Sequence, residues 1–202
     1  MPSTPPSGTI QLTDKAVPLP DFVRRLLGQT RAPDDIPRIA QEEAADWLLP
    51  LTEALLSWLR ERESDAPCGV FLGHHCAHIP LPSADGKGLF LRVPLRSTWT
   101  AWPIDTTTVV LVVAGEVDVE VYPNQEDLRM GHPQYARSFG PEEVFATHVG
   151  TVCALRSRST SLQVLATPRP GRDSTGIRPL PNASALYEQA ERSLERILDG
   201  AR

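Results

Sequence analysis

The chain has 202 residues, enough for one domain with a substantial core. Hydrophobic residues make up 41% and charged residues 22%, close to globular averages, and the formal net charge is −5. With arginines scattered rather than clustered, that balance argues against nucleic acid or an anionic membrane surface as the partner.

Twenty prolines, about twice the usual share, gather at the ends and between elements. Three cysteines (Cys68, Cys76, Cys153) show no regular spacing, so a disulfide framework is not expected and a reducing, cytoplasmic setting is. Met1–Gly8 carries no early positive charge and no apolar run, which predicts no signal peptide. No apolar stretch approaches the ~18 residues a membrane span needs.

In chain order, residues 1–20 hold five prolines and read as a mobile tail, with Ile10–Leu12 as a candidate edge strand. Residues 21–65 read as a helical extension. Asp21 caps a short helix over Phe22–Leu27, ended by Gly28. A second helix is predicted over Ile36–Leu49, Pro50 breaks or kinks it, and a third follows over Leu51–Glu63. Their apolar stripes imply packing against a neighbour and suggest no chemistry.

From Ala66 the periodicity changes to that of strands. Cys68–Leu72 continues into Gly73–Ile79, and Leu89–Leu95 follows a turn over Ala84–Gly88. Ser97–Ile104 carries Trp99 and Trp102. Val109–Val113, the turn at Gly115 and the alternating Glu116–Tyr122 form the central hairpin. Pro123–Pro133 reads as a polar loop. Tyr135–Phe139, Val144–Thr147, Thr151–Arg156 and Ser161–Ala166 complete a set of short strands typical of a sandwich or barrel. Residues 169–202 read as a proline-rich linker and a last helix, Ala185–Leu198, capped by Asn182 or Ser184 and stopped by Gly200.

Residues 66–168 resemble the cupin superfamily. The second cupin motif reads P-G-D-x-x-x-x-P-x-G-x-x-H, and Pro141, Glu143, Gly150 and Cys153 fall at its Pro, Asp, Gly and His. The first motif ends in an apolar strand, a glycine and an alternating strand, as Val109–Val113, Gly115 and Glu116–Tyr122 do. The resemblance implies a mainly β fold, a cupin-type double-stranded β-helix or jelly-roll barrel, here with N-terminal helices and a C-terminal helix. It also implies pairing through the sheets, so a homodimer is expected. In metal-binding cupins two His and a Glu precede that glycine. Here the Glu position is Thr108, and the His positions are Trp102 and Ile104, or Ala101 and Pro103 one residue earlier. With Cys153 at the last His position, the usual metal site is degenerate and no metal cofactor is expected.

Several residues could still carry chemistry. In one continuous strand His74, Cys76 and His78 would share a face, with His75 opposite, at steps of about 7 Å. With Cys153, His148 or Asp105 they would make an alternative site for iron, zinc or nickel; without one they are polar barrel residues. Cys153 is either a small buried apolar residue or a thiolate. His148, on the turn before it, is either a rim base or a surface histidine. His132 reads as solvated. Trp99 and Trp102 would fill the core or wall a ligand pocket. Arg92, Arg96 and Arg156 lie on strands, and an inward arginine would imply an anionic ligand.

Three functions follow. The first is a metal-free barrel binding a small organic molecule through Arg92, Trp99, Trp102, His74 and His78. It would act as a sensor, a carrier or a metal-independent isomerase or cyclase, with His148 and Cys153 as candidate catalytic residues. The second is an unorthodox metalloenzyme of dioxygenase, lyase or isomerase type on His74, Cys76, His78 and Cys153. The third is a structural pseudoenzyme acting through dimerisation.

Overall fold

The computed structural model describes residues 17, 20–28, 47–61, 70–73, 75–83, 88–158, 161–168, 178–179 and 183–201. In chain order the elements are α1 (Asp21–Gly28), α2 (Leu48–Glu61), β1 (Phe71–Gly73), β2 (Cys76–Pro80), β3 (Gly88–Pro94) and β4 (Thr100–Pro103). There follow β5 (Thr108–Ala114), β6 (Val117–Tyr122), α3 (Gln125–Met130), β7 (Tyr135–Phe139) and β8 (Val144–Thr147). The last are β9 (Val152–Ser157), β10 (Leu162–Thr167), β11 (Arg178–Pro179) and α4 (Ser184–Gly200).

All strand pairs are antiparallel and form two sheets, one ordered β11-β1-β2-β3-β10-β5-β8 and the other β4-β9-β6-β7. Within them, the eight consecutive strands β3–β10 divide as 3-10-5-8 and 4-9-6-7, the jelly-roll arrangement. The hairpin between β5 and β6 turns on Gly115 at φ 74°, and the approach to β9 turns on Gly150 at φ 91°. Both are left-handed positions that suit glycine.

Side-chain alternation gives each strand two faces. On the larger sheet one face is Ala77, Ile79, Leu89, Leu91, Val93, Val109, Leu111, Val113, Val164 and Ala166, all nearly inaccessible. It packs under the helices as one apolar cluster with Val23 and Leu27 of α1, Leu51, Leu55 and Leu59 of α2, and Ala190 and Leu194 of α4. Burial at i, i+3, i+4 and i+7 on α2 matches its amphipathic sequence. A second cluster lies between the sheets and includes Val110, Val112, Val117, Val119, Val121, Phe139, Phe145, Cys153 and Leu155.

Several sequence expectations change. The third helix starts at Leu48, which puts Pro50 in its first turn, where the missing N–H has no helical acceptor to lose. The polar loop after β6 contains α3, capped by Asn124, whose side chain accepts from the N–H groups of Glu126 and Asp127, and closed by Gly131 at φ 68°. The linker returns to the sheet at Arg178–Pro179 to pair with β1. The last helix has Ala183 at its cap position, with no side-chain cap. Ile10–Leu12, residues 36–46 of the second expected helix, Cys68, His74 and Asn182 lie outside the described residues, while Leu48 and Leu49 belong to α2.

Candidate functional site

The register places two rows of side chains inside the barrel. On the larger sheet, His78 pairs with Arg92, Arg92 with Gln163, and Gln163 with Val112. On the smaller sheet, Trp102 pairs with Cys153, Cys153 with Val121, and Val121 with Tyr135. Directly paired residues share a face. Neighbours of each first row, such as Leu91 and Val93, face the helices, so the rows face inward.

Arg92 joins the rows. It is 2% exposed, and its guanidinium carbon lies 5.1 Å from the centroid of the Trp102 ring. Its Nη1 donates to Gln163 Oε1 at a long 3.4 Å, and its Nε has no hydrogen-bond partner. Gln163 Nε2 donates in turn to Ser161 Oγ at 3.1 Å, and that oxygen lies 3.0 Å from Ser157 Oγ. These groups are all neutral. Among the described residues no carboxylate pairs with Arg92. A guanidinium stays charged throughout the accessible pH range. Stacking on an aromatic ring contributes about 2 kcal/mol when desolvated, less than the several kcal/mol a buried lone charge costs.

Cys153, opposite Trp102, is 1% exposed. Burial pushes its thiol up to about 12, against the pull of Arg92, and so keeps it protonated at neutral pH. Cys76 and His78 are both buried and share a face of β2 by alternation. The ring of His78 meets that of Phe90 edge-on at 6.4 Å. The continuous His74–His78 strand is corrected. His75 sits exposed at φ 56° in a turn, and the second strand of the hairpin begins at Cys76.

Tyr135 ends the second row. Its hydroxyl lies beside Arg137; burial raises its pKa, with the charge and hydrogen bonding of Arg137 opposing. Arg137 pairs with Glu143, whose other oxygen accepts from the Gly140 N–H at 2.6 Å. Glu143 therefore holds the turn before β8.

Other candidates lie elsewhere. Trp99 is outside the barrel, 41% exposed and stacked on Arg156 at 4.9 Å. The exposed Ala101 and Pro103 show why: odd positions here face outward and Trp102 faces inward. Arg156 also points outward and binds Asp118 at 2.6 Å; Arg96 is exposed. His132 is exposed, as expected. His148 is corrected from a surface turn to a buried position, 4% exposed, with neither ring nitrogen hydrogen-bonded. Burial lowers its pKa, which favours the neutral ring. Among the described residues, no hydrogen bond, ion pair or ring contact joins it to the Arg92 row.

The metal that the cupin resemblance implies fits this donor set poorly. Ile104 sits in the inter-sheet cluster, Thr108 Oγ1 donates to the Thr106 carbonyl, and Cys153 is held protonated. A divalent first-row ion needs imidazole, carboxylate or thiolate donors. No three His, Cys, Asp or Glu side chains come together among the described residues.

Two sheets of this strand order, enclosing an interior between the β5–β6 hairpin and the Pro141–Cys153 segment, define a cupin-type β-barrel. No family model and no curated protein matches the sequence. Among solved structures, ectoine synthase from P. lautus is similar at 20% identity and a TM-score of 0.44, over 58% of this chain and 83% of that one. KdgF from Halomonas sp. is similar at 16% and 0.39, over 48% and 84%. A cupin superfamily protein from Desulfitobacterium hafniense is similar at 15% and 0.37, over 56% and 85%. At these values the assignment of the fold rests on this chain's own strand order and turns. No helix among the described residues is long and apolar enough to cross a membrane.

Proposed function

We propose that this protein binds a small organic anion inside its barrel, with Arg92 as the anchor and Trp102 as the wall behind it. The observation that carries this reading is Arg92 itself: a cation 2% exposed, with no carboxylate partner among the described residues and an unused Nε donor. An anion in the interior would supply the missing countercharge through charge-assisted hydrogen bonds. A sensor or carrier role fits better than catalysis, because burial favours the protonated Cys153 thiol and, among the described residues, no hydrogen bond joins His148 to the Arg92 row. Two buried free thiols, Cys76 and Cys153, suit a reducing, cytoplasmic setting.

A thermal-shift screen tests the reading with small organic acids set against their neutral amides. The acids are expected to raise the melting temperature of the native protein and not of Arg92→Met. Equal stabilisation by the amides would overturn it.

A further inference from the structure

We propose that the guanidinium of Arg92 takes the place of a metal cation in this barrel, so that a carboxylate is recognised by a fixed protein charge. The inference rests on the anion-binding reading and adds what supplies the charge. Its basis is position. Trp102 and Cys153 stand where the cupin motifs carry metal ligands, and they are register partners on adjacent strands. Arg92 reaches across from the opposite sheet, lies 5.1 Å from the Trp102 ring and acts electrostatically on Cys153. A positive charge therefore stands beside the residues that would otherwise surround a metal.

The same charge opposes a divalent ion at that point, since like charges repel strongly where water is excluded. The replacement is chemically coherent. A metal offers an oxyanion a positive charge at open coordination positions. A guanidinium offers a positive charge and donors in a rigid fork that matches a carboxylate with two parallel hydrogen bonds. The guanidinium carbon lies 5.1 Å from the centroid of the Trp102 ring, and Nε is unpaired. Gln163, Ser161 and Ser157 hold the other side with neutral hydrogen bonds, so the charge stays available.

Calorimetric titration of the full chain with acetate and benzoate, and with benzamide as the neutral control, tests this. The carboxylates are expected to bind equally well with and without excess chelator. Benzamide is expected to bind at least tenfold more weakly. Arg92→Gln is expected to lose at least tenfold in carboxylate affinity, and Arg92→Lys to recover part of it. Should Arg92→Gln fail to fold, the lysine variant and the chelator comparison decide. Carboxylate binding that requires added zinc, nickel or iron, or that vanishes on chelation, would overturn the inference while leaving the anion-binding reading in place. Affinity unchanged in Arg92→Gln would also overturn it. Absence of carboxylate binding with and without metal would sink both.

Discussion

The two faces of the seven-stranded sheet differ in chemistry: the helix side is aliphatic, and the barrel side mixes Val110, Val112 and Phe145 with Arg92, Gln163 and His78. On β3, Leu89, Leu91 and Val93 point to the helices and are 0–2% exposed. Arg92, between two of them, points into the barrel and is also 2% exposed. The helix-side face is completed by the protein itself, with aliphatic side chains from three helices meeting it. The barrel-side face carries Arg92, whose Nε is left without a hydrogen-bond partner. Burial alone therefore does not mark a residue as core. What distinguishes the faces is whether each buried group has found its partner.

The largest effect should come from the completed face. Leu91→Ala and Leu111→Ala each remove a fully buried side chain from the helix-side cluster. Each should cost about 2–5 kcal/mol in urea denaturation. Arg92→Met should do the reverse. It removes a buried charge that has no carboxylate partner among the described residues and leaves an apolar side chain against Trp102, so stability should rise by about 1–4 kcal/mol. A loss as large as that of Leu91→Ala would show that the barrel face is a second core and would end the comparison.

A third region supplies the control, a charge that has its partners. Asp118, on the outer face of the smaller sheet, accepts from Arg156 at 2.6 Å, Arg158 at 2.8 Å and Ser138 at 2.6 Å. Burial pushes its carboxyl up, but these hydrogen bonds outweigh it and bring the pKa down to about 2. A folded value below the unfolded one stabilises the native state at neutral pH. That contribution is lost as pH falls from about 4 to 2. It should be about 1–2 kcal/mol, reduced by solvent around the half-exposed arginines. Urea midpoints across that window should fall less steeply in Asp118→Asn.

The barrel was legible in the sequence because its signals are local: alternation, the turn at Gly115 and the spacing from Pro141 to Cys153. The site was only partly legible. Alternation places Leu91 and Arg92 on opposite faces of β3 but does not say which face is inside, since both are buried. Arg92 therefore stood level with Arg96 and Arg156 until the register set it beside Trp102. The sequence leaves the face of Trp99 open because the start of β4 fixes the parity, and one residue's shift exchanges the faces. The His74–His78 run looked like one strand because its turn lacks the usual signal: His75 takes a positive φ that glycine or asparagine would normally fill. α3 carried its signal in Asn124, a cap followed by acidic residues, but six residues are too few to show helical periodicity.

The smallest effect concerns the frame. The cupin motif reads Pro-Gly-Asp where this chain has Pro141-Glu142-Glu143, and Glu142 takes the glycine position at φ 70°. A side chain with a Cβ is strained there. The surroundings hold it in place: the Glu142 N–H donates to the Val112 carbonyl at 3.1 Å, and the Val112 N–H donates to the Glu143 carbonyl at 2.9 Å. Those bonds tie the turn to the middle of β5, so the backbone cannot relax without opening the central strand. Glu142→Gly keeps both bonds and removes the strain, against some loss of chain entropy. It should stabilise by about 1 kcal/mol, seen as a higher urea midpoint with unchanged carboxylate affinity. A destabilised variant would mean that the exposed Glu142 side chain contributes something beyond holding the turn.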